Sequence, residues 1–391
     1  MENFVFENST KTYFGKKCVS QYLPEILSHY GSHILLAYGG GSIKQNGIYN
    51  EVLGILKKAG KNVTEFSGIM ANPTYGKVLE GAQLAKENQI DLILAVGGGS
   101  VMDCCKAVAL AAVYPGDIWQ DFWAQAGAID CQPIPLGIIM TTSGTGSEMN
   151  GGAVITNEAL HVKTGRDYPQ LNARFALLDP LYTYTVPKKQ MISGTFDSLT
   201  HMMEIYFSAP DTDNVSDCLN EALMKHTIQN LRKAIENPHD YQARSNLVWA
   251  STMAENRILK LGKKGDFQGH ILEHALGAFT DCNHGCGLAV LLPVYYRHIQ
   301  DAGVEKFARF AETVWGICTQ GKTKAELAHA GVEALTAFIK EIGLPTTLRE
   351  LGITAEQKKL LPQIAASCVA SPGSYKHLNG QEILEIFQEA W

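Results

Sequence analysis

The sequence lacks the features of membrane and secreted proteins. No apolar run reaches the roughly 18 residues that a membrane span needs, and the nearest candidate, Ile134–Met140, is only as long as a strand. Met1–Phe6 has neither the basic region nor the apolar region of a signal peptide. We therefore expect a cytoplasmic protein with no membrane partner.

Positive charge is also scarce. The chain has 33 lysines and arginines against 39 acidic residues, which gives a formal net charge of −6. Binding to a nucleic-acid backbone or to anionic lipid requires a basic surface, so neither is expected as a partner.

Paired cysteine motifs are missing as well. The nine cysteines are odd in number and scattered, and no C-x-x-C pair is present. This pattern does not indicate a disulfide framework. Cys282 and Cys286 flank His284, so a Cys/His zinc cluster is one alternative for this segment.

Two regions of different pattern are present. Up to about residue 185, strand-like apolar runs alternate with helical stretches, as at His33–Tyr38, Asp91–Val96 and Ile134–Thr141. After Pro187 the pattern is helical throughout. With 391 residues, two domains are expected. We predict an α/β domain with a mostly parallel dinucleotide-binding sheet over 1–185 and an all-α domain over 186–391.

Two turns of the first region could bind a nucleotide. Gly97–Ser100 follows a strand and opens a helix, and glycines there would let the backbone and the helix dipole approach a pyrophosphate. The turn does not match G-x-G-x-x-G, and a tight structural turn is an equal alternative. Thr141–Glu148 offers hydroxyl and N–H groups for ribose or phosphate, or forms a plain Ser/Thr loop.

The helical region contains a candidate metal site. Asp197 and His201 are four residues apart, as are His270 and His274, so each pair shares a helix face. His284 follows ten residues after His274, where Gly285 and Gly287 predict a tight turn. One carboxylate and several imidazoles suit a divalent transition metal with an open position. A set of satisfied polar core groups is the alternative.

These motifs together resemble the iron-containing (group III) alcohol dehydrogenases, most closely their butanol dehydrogenase-like, NADPH-dependent branch. The resemblance covers nearly the whole chain. It rests on these segments: FENSTKTYFGK (6–16), YGGGSIK (38–44), VGGGSVMDCCK (96–106), TTSGTGSEMN (141–150), FALLDP (175–180), GTFDSLTHMMEIYF (194–207) and HILEHALGAFTDCNHGCGLAVLLP (270–293).

The resemblance implies a dehydroquinate synthase-like fold and a metal-dependent alcohol dehydrogenase that uses NADP(H) and a small alcohol or aldehyde. It implies one Fe²⁺ or Zn²⁺ ion and a homodimer. The implied metal ligands are Asp197, His201, His270 and His284. His274 matches an active-site histidine near the metal that is not a ligand, and it is the candidate catalytic residue.

The resemblance also implies a set of cofactor-binding residues. The pyrophosphate would lie at Gly97, Gly98, Gly99 and Ser100, with Asp103 near the nicotinamide-side ribose or amide. The remaining members line the cofactor or reach its ribose: Thr141, Thr142, Thr145 and Lys163.

The first glycine turn predicts a preference for NADP(H). An enzyme specific for NAD is expected to place an acid beside the ribose 2′-hydroxyl, and the segment Tyr38–Lys44 contains none. Its glycines leave room for a 2′-phosphate, and polar or positive groups could contact it. The residues concerned are Gly39, Gly40, Gly41, Ser42 and Lys44.

The helices that carry the metal candidates predict a short, mostly apolar substrate. Their apolar residues are Phe196, Leu199, Met202, Leu272, Leu276 and Phe279. Phe267 and Ala275 replace the Trp and Glu that relatives often carry, so the pocket shape is expected to differ.

Three alternatives remain at this stage. A glycerol or polyol dehydrogenase shares the fold group. A dehydroquinate synthase-like enzyme would need basic residues near the metal, and Lys260, Lys263 and Lys264 lie just upstream of His270. The last alternative is a catalytically inactive nucleotide-binding protein.

Overall fold

The computed structural model describes all 391 residues, Met1–Trp391, which form two compact units. One contains Glu7–Pro187 and His239–Asn256, and the other contains Met1–Phe6, Lys188–Pro238 and Arg257–Trp391. Each unit is therefore discontinuous in sequence, whereas the sequence analysis placed one boundary after residue 185. None of the helices combines the length and apolarity that crossing a bilayer requires.

The first unit is built on a six-stranded sheet in the order β1-β8-β5-β4-β2-β3, with every neighbouring pair parallel. The strands β6 and β7 form a separate antiparallel pair. The bounds are β1 (Lys11–Phe14), β2 (His33–Tyr38), β3 (Asn62–Phe66), β4 (Leu92–Gly97), β5 (Leu136–Met140), β6 (Gly152–Asn157), β7 (Val162–Asp167) and β8 (Phe175–Leu178).

Helices cover both faces of this sheet. Alternate residues of one strand enter different apolar clusters, so that Leu35 packs on one face of β2 and Leu36 on the other. A parallel sheet buried on both faces needs such continuous apolar strands. The helices are α1 (Cys18–Leu27), α2 (Ser42–Gln45), α3 (Ile48–Lys58), α4 (Tyr75–Glu87) and α5 (Gly99–Ala111), and a π-helical turn spans Trp119–Ala124.

The remaining helices are α6 (Lys188–Tyr206), α7 (Val215–Glu236), α8 (Tyr241–Glu255), α9 (Gln268–Thr280), α10 (His284–Ile299), α11 (Val304–Thr313), α12 (Lys324–Glu341), α13 (Leu348–Leu351), α14 (Ala355–Lys358), α15 (Leu361–Ser367) and α16 (Gly380–Glu389). Of these, α8 belongs to the α/β unit and the others form the helical unit. The prediction of an α/β sheet followed by a helical region is confirmed.

Helix α10 corrects the sequence analysis. Gly285 and Gly287 were expected to form a tight turn, but both lie in the first turn of α10, which Asn283 caps by accepting from the Cys286 N–H. The glycines are needed for close packing instead. A Cβ on Gly285 would overlap the carbonyl oxygen of Ser193 on α6, and one on Gly269 of α9 would overlap Leu292 on α10.

A buried ionic group holds other parts of the helical unit together. Asp217 on α7 contacts the ammonium groups of Lys263 at 3.0 Å and of Lys306 on α11, and all three side chains are almost completely buried. Removing one member of such a group leaves an uncompensated buried charge. Asp217 therefore connects α7, α11 and the segment before α9.

The packing of α6 against α10 gives a stability prediction. Gly285→Ala should lower the free energy of unfolding by about 1–3 kcal/mol, because its methyl group meets backbone that must shift. Gly380→Ala, in open space at the start of α16 in the same unit, is the matched control and should change it little. Urea unfolding followed by circular dichroism measures both. Equal stability of the two variants would contradict this account of the α6–α10 contact.

Candidate metal centre and cofactor loops

The four predicted metal ligands lie within the helical unit, with the three histidines around one oxygen of Asp197. Asp197 and His201 lie one turn apart on α6, His270 lies in the first turn of α9, and His284 is the first residue of α10. Asp197 Oδ1 lies 3.8 Å from His201 Nε2, 3.6 Å from His270 Nε2 and 3.4 Å from His284 Nε2. One carboxylate oxygen therefore faces the Nε2 atom of each of the three imidazoles.

The spacing fits a metal ion better than a hydrogen-bonded core. Asp197 Oδ1 and His270 Nε2 are buried and have no hydrogen-bond partner, although such atoms are normally satisfied. Ligands bonded at about 2.1 Å to one tetrahedral ion lie about 3.4 Å apart, which is close to the three separations measured from Asp197 Oδ1. The donor set of one carboxylate and three imidazoles suits iron or zinc.

The electrostatics of the cluster also favour a bound cation. Burial alone would raise the pKa of Asp197, but the imidazoles of His201, His284 and His270 outweigh it and hold this pKa well below its usual range. Burial alone would lower the pKa of His270, but Glu204 and Asp197 outweigh it and raise this pKa to about 10. The carboxylates of the cluster therefore favour positive charge at its centre, which is the charge that a metal ion would supply.

Two carboxylates that the sequence analysis missed contact the ligand candidates. His270 Nδ1 donates to Glu204 of α6, and His284 Nδ1 donates to Glu273 of α9. Both glutamate side chains are fully buried. A glutamate within the apolar stretches HMMEIYF and HILEH was the available signal, because buried carboxylates require a partner.

His274, the candidate catalytic residue, lies on the same helix as His270. Its ring centre is 5.5 Å from that of His284 and 6.0 Å from that of His270. It is partly exposed, whereas Asp197, His201 and His270 are buried. His274 is therefore placed beside the cluster with access to water.

The donor atoms fall into two groups, in each of which they lie within 4.8 Å of one another. Asp197, His201 and His270 form one group, and Glu273, His274 and His284 form the other. The nitrogen of His284 that faces Glu273 is Nδ1, while Nε2 faces Asp197. Neither group contains a cysteine, and Cys282 Sγ donates to Glu273 Oε1 at 3.8 Å. The structure thus gives the Cys/His zinc alternative no support.

In the α/β unit, the three glycines of the predicted pyrophosphate turn pack tightly. Gly97 ends β4, and Gly98 and Gly99 open α5. A Cβ on Gly99 would overlap Thr145, and one on Gly98 would lie 3.2 Å from the Thr142 side chain. The turn and the Thr141–Glu148 loop are therefore neighbours, and these glycines have a packing role independent of any ligand.

Asp103 and Lys106 of α5 form hydrogen bonds to the Thr141–Glu148 loop and to the start of β6. Asp103 accepts from the Ser147 hydroxyl at 2.6 Å and from the Val154 N–H at 2.9 Å. Lys106 is fully buried and donates to the Ser147 carbonyl and hydroxyl and to the Gly152 carbonyl, each at 2.7 Å. These contacts support a role in fixing the loop, and contact between Asp103 and a cofactor stays a prediction.

The other predicted cofactor residues differ in exposure. Thr141 and Lys163 are buried, the latter on β7, whereas Ser100, Thr142 and Thr145 are partly exposed. Thr141 donates its backbone N–H to the Gly97 carbonyl at 2.9 Å, which joins β5 to the glycine turn. Their contact with a nucleotide stays a prediction.

The first glycine turn has an acidic neighbour that its own sequence does not show. Glu65 on β3 accepts from the hydroxyls of Tyr38 and Tyr49, and it lies 3.3 Å from Lys44 Nζ. Those hydroxyl contacts lower the pKa of Glu65, so it is ionised at neutral pH. Cβ atoms on Gly40 and Gly41 would enter open space, so this turn has room.

The apolar residues that were expected around the metal are mostly core. Five of the six are buried, and only Phe279 is partly exposed. The prediction of an apolar substrate therefore cannot rest on this set.

Comparisons with known proteins agree with this architecture. Residues 9–180 match the family described as "Iron-containing alcohol dehydrogenase", and residues 191–391 match "Fe-containing alcohol dehydrogenase family, C-terminal". The chain is 38% identical to NADH-dependent butanol dehydrogenase A of Clostridium acetobutylicum over the full length of both. It is 36% identical to the NADPH-dependent aldehyde reductase of Escherichia coli over 90% of each.

A solved structure is equally similar. The chain superposes on the NADH-dependent butanol dehydrogenase A of Thermotoga maritima with a TM-score of 0.92 and 35% identity, covering 100% of this chain and 99% of that one. The protein belongs to the iron-containing alcohol dehydrogenase family and is close to its butanol dehydrogenases. It is an NAD(P)-dependent alcohol dehydrogenase, as the sequence analysis predicted.

The geometry predicts different roles for His270, as a metal ligand, and His274, as a residue beside the metal. His270→Ala should lose most bound metal, because Nε2 of His270 faces Asp197 in the cluster. His274→Ala should keep the metal and lose turnover, because its ring lies beside the cluster. Elemental analysis of the purified variants measures this difference, and equal metal loss in both would show that the two roles are misassigned.

Proposed function

We propose that this enzyme interconverts short, mainly apolar aldehydes and primary alcohols such as butanal and butanol. A divalent metal would be held by Asp197, His201, His270 and His284, with NADP(H) as the cofactor. The observation that carries the metal site is the buried oxygen of Asp197, which has no hydrogen-bond partner and faces three imidazole nitrogens. The proposed substrate class rests on the similarity to butanol dehydrogenases.

The family's chemistry defines what this chain must supply. A bound divalent metal provides Lewis acidity, which polarises a carbonyl oxygen and lowers the pKa of an alcohol. A nicotinamide cofactor provides the hydride chemistry. The protein's own task is to hold both, to exclude water and to move a proton.

His274 is suited to the proton transfer. It lies next to the cluster and is partly exposed, so one ring nitrogen can exchange a proton with solvent while the other serves the reacting oxygen. The buried imidazoles of His201 and His270 have no such access. This division of roles supports His274 as the acid–base residue.

The three lysines upstream of His270 do not favour a phosphorylated substrate, because each contacts another group of the protein. Lys263 is buried and bound to Asp217 and to the Ser208 carbonyl. Lys264 lies 3.8 Å from Glu2, and the Lys260 ammonium lies over the Phe267 ring at 4.8 Å. A dehydroquinate synthase-like reaction would need such groups to bind an anion, so it is the weaker candidate. The homodimer stays a prediction.

The cofactor proposal rests on the turn between β2 and α2. Its glycines leave room, and Ser42 and Lys44 are exposed. Names among the relatives include both NADH-dependent and NADPH-dependent enzymes, so the family alone does not decide. Glu65 offsets part of the positive charge that Lys44 would offer to a 2′-phosphate.

An aldehyde panel tests the reaction. Protein loaded with Fe²⁺ or Zn²⁺ should oxidise NADPH with unbranched aldehydes of three to six carbons and should act poorly on phosphorylated or carboxylated ones. Chelated protein should lose turnover but still bind NADPH, because the glycine turns lie in the other unit. Full activity of the chelated protein, or a preference for charged substrates, would refute the proposal.

Cofactor preference has a separate test. The wild type should use NADPH at least tenfold better than NADH by kcat/KM, which corresponds to about 1.4 kcal/mol. Glu65→Gln should raise this ratio and Lys44→Gln should lower it, because one removes the negative and the other the positive member of the pair. Dissociation constants for both nucleotides provide a readout independent of turnover. A ratio that neither substitution changes would show that this turn does not contact the 2′ position.

A further inference from the structure

We propose that Glu204 and Glu273 are positioning residues that hold two imidazoles of the cluster in the tautomer and orientation that a metal requires. The proposal rests on the proposed metal site and assigns a function to two side chains other than the four proposed ligands. Both carboxylates contact the imidazole nitrogen that faces away from Asp197.

Glu204 holds His270 by two contacts. One carboxylate oxygen accepts from His270 Nδ1 and the other from the His270 backbone N–H, the latter at 3.1 Å. A carboxylate can only accept, so Nδ1 carries a hydrogen. Nε2 is then the ring nitrogen left for a metal, and it lies 3.6 Å from Asp197 Oδ1. The backbone contact also fixes the first turn of α9, and with it the direction of the ring.

Glu273 acts on His284 from a neighbouring helix. Its Oε2 accepts from His284 Nδ1, and its Oε1 accepts from the Cys282 thiol at 3.8 Å. A Cβ on Gly287 would come within 2.9 Å of the Glu273 side chain, so glycine at this position of α10 leaves room for the carboxylate. The glycines of α10 thus serve both the helix contact and this hydrogen bond.

Ordinary ion pairing explains these contacts less well. Glu204 pairs with no lysine or arginine, and both of its carboxylate contacts go to the same histidine. A stability-only role would be satisfied by any cation. Hydrogen bonding of a ligating histidine's second nitrogen to a carboxylate orients the ring and raises its basicity, and loss of such a partner typically costs 10–100-fold in metal affinity or activity.

The test is metal affinity in the full-length protein. Glu204→Gln and Glu273→Gln keep the side-chain volume and remove the charge. Each variant should bind Zn²⁺ about 10–100-fold more weakly in competition with a chelator. Substituted Co²⁺ should also show a changed visible spectrum, because the ring orientation alters the ligand field.

Glu221→Gln is the matched control. Glu221 accepts from the Tyr206 hydroxyl at 2.7 Å and pairs with Arg309 in the same unit, without contact to a ligand candidate. Its substitution should leave both readouts at the wild-type values. Circular dichroism of the metal-free proteins checks folding. If Glu204→Gln does not fold, Glu273→Gln decides the matter, because its partner His284 is partly exposed.

The outcomes separate this inference from the proposed function. Wild-type protein that binds one metal ion, with both variants equal to it in affinity and spectrum, would overturn the positioning role alone. Wild-type protein that binds no metal would overturn the metal site and the positioning role together. Selective weakening in the two variants, with Glu221→Gln unchanged, supports the positioning role.

Discussion

Three buried carboxylates lie around one group of imidazoles in the helical unit, and the rest of the site depends on how their charge is balanced. Asp197, Glu204 and Glu273 have side chains that are at most 5% exposed. Burying a carboxylate without a compensating cation is expensive, and breaking such a group is strongly destabilising. Protons on the histidines can balance part of this negative charge. A divalent ion can also balance it and would at the same time bind the Nε2 atoms that face Asp197.

Close helix packing makes this arrangement possible. The ligand candidates come from α6, α9 and α10, and glycines at 269 and 285 lie where any side chain would overlap a neighbouring helix. Glycine has the same effect in the α/β unit, where Gly98 and Gly99 allow the start of α5 to pack against the Thr141–Glu148 loop. In both units, therefore, glycine allows the close approach that brings the polar groups of the candidate sites together.

Much of the fold followed from periodicity. The strand His33–Tyr38 was predicted at its observed bounds, since a run of apolar residues that ends in glycine indicates a buried parallel strand. Helix α10 was missed because Gly285 and Gly287 are poor helix formers, and their reason for being there is a tertiary contact. Met1–Phe6 belongs to the helical unit and His239–Asn256 to the α/β unit. Tertiary contacts determine both assignments, and no local sequence pattern indicates them.

The candidate site was predictable in part. Spacing of four placed Asp197 with His201 and His270 with His274, but only the fold shows that Asp197 faces His284. The sequence analysis missed Glu204 and Glu65 for the same reason. The importance of each comes from a contact with a residue on another element, His270 for Glu204 and Lys44 for Glu65.

The central claim is that one ion is bound by the carboxylate and the three imidazoles. X-ray absorption spectroscopy of the metal-loaded protein tests it directly. The account predicts only nitrogen and oxygen neighbours at about 2.0–2.2 Å with the outer-shell scattering of three imidazoles, whereas a sulfur neighbour at about 2.3 Å would contradict it by indicating Cys282 or Cys286 as a ligand.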